Sequence, residues 1–160
     1  MPTEQFLEVW RADLVSELVI ALTALRSSIG EIELAAFAID CHPWHGSIYL
    51  AALTSEEART EPTLDCLEEM AQWGLYDFAS EPRGHSPEMI RLGRVMQEQW
   101  TSSGESTELL AEAAEAFLVA CARAAGHPSV SRAVAAFSRA ESFRINVAHP
   151  DSNREFYPSA

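Results

Sequence analysis

Residues Ile32–Thr54 read IELAAFAIDCHPWHGSIYLAALT. Two apolar runs of strand length flank a short connection, residues 41–46, that holds a cysteine, two histidines, a proline and a tryptophan. In the first run Ile32, Leu34, Ala36 and Ala38 fall on one face, and Ala35, Phe37 and Ile39 on the other. In the second, Ile48, Leu50 and Ala52 oppose Tyr49, Ala51 and Leu53. Strands apolar on both sides are central and covered on both faces, so this stretch predicts the middle of a sheet. Pro43 and Gly46 supply the bends of a connection longer than a two-residue turn. So short a link forces antiparallel pairing, which argues against an all-parallel nucleotide-binding sheet.

Working outward, residues 3–27 predict a helix. Phe6, Leu7, Trp10, Leu14, Leu18, Ala21, Leu22 and Leu25 recur at three- and four-residue steps, Val15, Val19 and Ile20 widen that face, and Gly30 ends it. After the hairpin, Thr54-Ser55-Glu56-Glu57 matches a capping box and predicts a short helix that Glu61-Pro62 interrupts. Leu64, Leu67 and Ala71 suggest another short helical piece, and the aromatic-rich 73–78 reads as a strand. Ser86-Pro87-Glu88 is a strong helix start, with Met89, Leu92, Met96 and Trp100 as the inner stripe. Residues 105–125 predict a further helix, with Leu109, Leu110, Ala113, Phe117, Leu118, Cys121 and Ala124 inward. Gly126 closes it and His127-Pro128 opens the next. Alternation in 143–148 predicts an edge or half-exposed strand, and Phe156 and Tyr157 are candidates to tie down the polar tail. The order helix, hairpin, strand, three helices, strand gives an α+β class, as one domain over 1–160. Its antiparallel sheet is built on the hairpin at about 32–54 and packed by the N-terminal helix and a C-terminal helical group.

Charge narrows the partners. The net charge is −13, and all eleven basic residues are arginine, a usage that fits a GC-rich bacterial genome. Such a charge repels phosphate backbones and anionic membrane surfaces, which argues against nucleic-acid and membrane partners, while steering toward a basic protein partner. The acid is concentrated: residues 55–81 carry eight carboxylates against Arg59 alone. No apolar run spans a bilayer, and the N-terminus lacks a basic signal-peptide start, so the expected location is the cytoplasm. Three widely spaced cysteines (Cys41, Cys66, Cys121) fit reduced thiols. The sequence leaves the oligomeric state open.

The connection carries the most reactive-looking groups. Cys41, His42 and His45 are weak zinc candidates, which His85 or His149 could complete, but adjacent Cys41 and His42 chelate together poorly and no CxxC or HExxH is present. A Cys41 nucleophile with His42 or His45 as base would need Asp40 to orient it, and neighbouring strand residues point to opposite faces. Cys121 lies on an inner helical stripe, and Cys66 sits among acids that make a poor nucleophile. No glycine-rich phosphate loop exists, so no nucleotide cofactor is expected. The binding candidates are therefore His42, Trp44 and His45 at the hairpin tip, Glu68 and Glu69 in the acidic stretch, and Trp73 and Tyr76 in the aromatic segment.

The hairpin followed by TSEEA (54–58), then MAQWGLYDF (70–78), resembles an uncharacterised bacterial domain-of-unknown-function family, numbered 4303, over most of the chain. The resemblance implies an α+β domain and brings no activity or site residues. Size and charge are also similar to those of immunity proteins, which neutralise a toxin by binding it. The leading expectation is a non-enzymatic acidic binding protein, an inhibitor or immunity-type protein for a basic partner. The alternative is a metal- or small-molecule-binding domain, or an enzyme, that uses the hairpin-tip Cys/His cluster.

Overall fold

The computed structural model describes residues 1–158. Helix α1 spans Glu4–Ile29, and the hairpin follows as β1 (Leu34–His42) and β2 (Ser47–Thr54). Next come α2 (Ser55–Thr60), three short 3₁₀ turns (Pro62–Leu64, Leu67–Gln72, Phe78–Ser80), α3 (Pro87–Ser102), α4 (Thr107–Ala125), α5 (Pro128–Ala135) and β3 (Arg139–Val147). The chain is α+β, and the hairpin is its structural centre. The sheet order is β2-β1-β3, with β1 in the middle. The β1–β2 ladder is antiparallel, whereas β3 joins β1 in parallel, which makes the sheet mixed. That third pairing needs a long crossover, and α3, α4 and α5 lie within it.

One face of the sheet receives the helices. Phe37, Ile39 and Cys41 of β1 and Ile48, Leu50 and Ala52 of β2 pack with Leu14, Leu18 and Leu22 of α1 and with Phe117, Leu118 and Cys121 of α4. Trp10 donates its indole N–H to the Leu92 carbonyl at 3.1 Å, which ties α1 to α3. The other face is nearly all alanine: Ala35, Ala36, Ala38 and Ala51, with Leu53. These small side chains leave room for Trp73 and Leu64 to lie on the sheet, and Trp73 Nε1 donates to the Leu64 carbonyl at 2.8 Å. The segment from α2 to Tyr76 therefore forms a cover over the second face. Its first turn holds the expected capping box: Glu57 N–H donates to Thr54 Oγ1 at 3.1 Å, and Thr54 N–H to Glu57 Oε2 at 3.0 Å.

Several expectations are corrected. Residues 73–78 are not a strand: Leu75 makes a single bridge to Ala52, and Asp77 takes a left-handed backbone (φ 56°). Trp73 and Phe78 enter separate clusters, and between them the Tyr76 N–H closes a turn onto the Trp73 carbonyl at 2.9 Å, which ends any extended run. The register shifts between Leu34 and Ala36, and this bulge moves Leu34 to the Phe37 face. Strand β1 also runs on through His42, so Cys41 and His42 belong to the strand and not to the turn. Ile20 (60% exposed) and Leu109 (38%) face outward, because the sheet and the neighbouring helices cover only part of each helix. Phe156 and Tyr157 do pack against the main core and hold the tail.

Candidate functional site

Strand geometry builds the site from Asp40. Residues two apart share a face, so Asp40 and His42 continue the alanine row of β1 beyond the reach of Trp73, at the end next to the turn. Asp40 is the one charged residue in an otherwise apolar strand, and it is 8% exposed. Tyr76 Oη donates to its Oδ2 at 2.9 Å, and His42 Nε2 lies 2.8 Å from Oδ1 without hydrogen-bond alignment. Burial, and after it the charge of Asp40, pushes the Tyr76 phenol well above its ordinary range, so Tyr76 stays a neutral donor. Behind this group lies a second pair, His85 Nε2 with Asp77 Oδ1 at 2.7 Å, and Tyr49 packs between the two on both Tyr76 and His85.

The turn is held from the helix side. Gly46, in the left-handed region (φ 65°), meets Gly93 of α3 so closely that a Cβ on Gly93 would lie 2.0 Å from the Gly46 carbonyl oxygen. Gln97, one turn further on, donates from Nε2 to the Trp44 carbonyl at 3.0 Å. The Trp44 ring is thereby fixed where it touches both His42 (centroids 5.9 Å apart) and His149 (5.6 Å).

His149 comes from the tail. The bridge Ala148–Glu155 closes a tight loop, inside which His149 N–H donates to the Arg154 carbonyl at 2.9 Å and Asn153 N–H to the His149 carbonyl at 2.8 Å. The His149 ring accepts the Asp151 backbone N–H on Nδ1 at 3.2 Å. Between this loop, the Leu67–Gln72 turn and the end of β1 is a cavity of about 290 Å³. Asp40, His42, Leu67, Glu68, Met70 and His149 are among the residues that line it, and no arginine does.

Of the residues singled out in the sequence, the structure brings His42 and Glu68 to the cavity wall, with Tyr76 directly behind Asp40 and Trp44 between the two imidazoles. His45 is exposed beside Trp44 and does not reach the cavity wall. Glu69 lies outside the lining and accepts a hydrogen bond from Gln72. Trp73 is 2% exposed, a core residue with no surface to offer a partner. Cys41 points the other way, into the helical layer, where its thiol contacts Met96 Sδ at 3.5 Å. The Cys121 thiol and then burial push Cys41 well above the ordinary thiol range. That placement separates Cys41 from His42, and among the described residues no group of three or more His, Cys, Asp or Glu side chains is arranged to hold a metal ion. Asp40 and His149, which the sequence offers only as helpers to a cysteine nucleophile or a zinc ion, join the cavity in their own right. The Asp-x-His spacing on a strand could have flagged the first, whereas nothing local to the tail places His149 beside β1.

No protein-family model matches the sequence, and no curated protein or solved structure is significantly similar to it.

Proposed function

We propose that this chain is a small-molecule-binding protein of a bacterial cytoplasm, whose ligand occupies the cavity between the β1 end, the Leu67–Gln72 turn and the His149 loop. The convergence of Asp40 and His42 of β1, Glu68 of the Leu67–Gln72 turn and His149 of the tail, three separated stretches, on one cavity carries this reading. With two carboxylates and no arginine in the lining, the site favours an uncharged or cationic molecule over an anion. The volume lies at the small end of ligand pockets. Saturation-transfer NMR with a panel of small uncharged, cationic and anionic compounds tests the proposal. Retention of uncharged or cationic compounds, lost in Ala148→Trp, which fills the cavity, supports it. Preferential retention of anions, or equal retention by the filled variant, counts against it.

A second reading, an acidic inhibitor or immunity-type protein for a basic partner, rests on the charge of the cover segment. Much of that charge has internal partners: Glu57 caps α2 and accepts the Gly74 N–H at 2.7 Å, Glu56 pairs with Arg59, Asp65 with Arg144 at 2.5 Å, and Asp77 with His85. The cavity is therefore the better-supported site. Salt-sensitive binding of an arginine-rich peptide that survives in Ala148→Trp would favour the partner reading instead. The likeness to the family numbered 4303 is compatible with either and names no ligand.

A further inference from the structure

The cavity wall includes a carboxylate that the fold leaves half used. Asp40 is 8% exposed and lines the cavity, and its Oδ2 accepts the Tyr76 hydroxyl at 2.9 Å. Among the described residues no hydrogen bond reaches Oδ1, since the His42 ring nitrogen 2.8 Å away is out of alignment. A buried carboxylate oxygen without a donor is destabilising, and a charged N–H is the donor that offsets this most strongly. The chain supplies none. It contains no lysine, and Arg144 of β3 pairs with Asp65 while Arg154 of the tail loop pairs with Glu115 at 3.0 Å. The rest of the wall suits a cation with a short hydrocarbon tail. Glu68 adds a second carboxylate, held in place by Asn153, whose Nδ2 donates to Glu68 Oε1 at 3.1 Å. Leu67, Met70, Ala148 and Pro150 give the apolar surface.

We propose that the cavity binds a small primary alkylammonium, whose N–H group donates a charge-assisted hydrogen bond to Asp40 Oδ1 while its tail lies on that apolar surface. This proposal rests on the small-molecule reading above and narrows it to one ligand class. Asp40 is the selective group. A quaternary ammonium brings the charge without an N–H, and an alcohol brings a donor without the charge, so each meets only half of what the carboxylate offers. Tyr76 anchors the site. Burial holds its phenol well above the ordinary range, so it donates to Asp40 as a neutral group and leaves the carboxylate charge for the ligand. A carboxylate ligand would meet Asp40 and Glu68 with no arginine in the lining to balance them.

Four probes separate the charge from the donor: n-butylamine, n-butyltrimethylammonium, 1-butanol and butyrate. Each is titrated into the isotope-labelled full chain at about pH 8, where an alkylamine is still protonated. n-Butylamine should bind roughly 10-fold or more tightly than the quaternary ion or the alcohol, with butyrate weakest. It should shift the backbone resonances of Asp40, Met70 and Ala148. It should also move the side-chain carboxylate carbon of Asp40, which the quaternary ion leaves in place, and this readout needs no variant. Asp40→Asn keeps an oxygen for Tyr76 and the shape of the wall. It should lower the affinity for n-butylamine roughly 10- to 100-fold and leave that for 1-butanol unchanged. Equal affinity for the primary and quaternary ions, an unmoved Asp40 carboxylate carbon, or wild-type amine affinity in Asp40→Asn overturns the proposal. In any of those cases the cavity reading stands if 1-butanol shifts Met70 and Ala148. If none of the four probes shifts these residues, both fail.

Discussion

At the residue scale, Asp40 decides what the end of β1 can do. A lone carboxylate among apolar strand residues is costly to bury without partners, and here Tyr76 donates to one oxygen while the His42 ring lies against the other. Tyr76→Phe should therefore cost about 1 kcal/mol, read as a shift in the urea midpoint. The pH dependence follows from the raised Tyr76 pKa. Its phenol ionises more readily in the unfolded chain, so the stability it contributes is intact below about pH 10, the unfolded value, and is lost as the pH rises toward the folded value. Urea midpoints between pH 8 and 11 should fall less steeply in Tyr76→Phe than in the wild type. Thiols give a second check. Cys41 and Cys121 are fully buried and Cys66 is half-buried, so a thiol reagent should label Cys66 first, and the other two only on unfolding. At this scale the site was half legible. His42, Glu68 and Tyr76 stand out by residue type, but Asp40 and His149 enter the sequence reading only as helpers to a cysteine or a zinc ion. Their real partnership depends on Cys41 facing away and on the tail folding back, and both are tertiary facts.

At the element scale, the signals that held are local ones. The Gly30 stop of α1, the Thr54–Glu57 capping box and the Ser86-Pro87 start of α3 each satisfy backbone groups within a few residues, so sequence alone exposes them. The aromatic segment failed for the converse reason. Its strand-like composition is overridden by a turn, in which the Tyr76 N–H meets the Trp73 carbonyl and Asp77 takes a left-handed backbone, so that only Leu75 reaches β2 while Trp73 settles on the alanine floor and Phe78 on Phe37. The contact between Gly93 and Gly46 is invisible from either local sequence, yet it fixes the turn that carries Trp44. Gly93→Ala should cost roughly 1–3 kcal/mol through forced separation of α3 from the turn. It should also shift the Trp44 fluorescence, measured with the other tryptophans replaced by phenylalanine. A Gly93→Ala protein with unchanged stability would mean that the turn is not clamped by α3.

At the scale of the whole molecule, two unlike layers enclose the sheet. Regular helices cover one face, and a short α2 followed by two 3₁₀ turns and Trp73 covers the other. None of the helices is long and apolar enough to cross a membrane. The α+β class and the central hairpin were readable because a two-sided apolar pattern forces cover on both faces. The parallel β3 was not readable, because a crossover about ninety residues long leaves no local trace of its register. Part of the acidic cover is tied into the fold, since Asp65, Glu57 and Asp77 meet groups within it. What the cover leaves open is the cavity at the turn end of β1, and ligand binding there is the central claim. The most direct measurement is a backbone and imidazole NMR titration of the full chain with an uncharged small molecule that the protein retains. The account predicts shifts confined to Asp40, His42, Met70, Ala148, His149 and their immediate neighbours. Shifts centred instead on the groove between α1 and α4, or on the outer acidic face with the His42 and His149 rings unmoved, would contradict it.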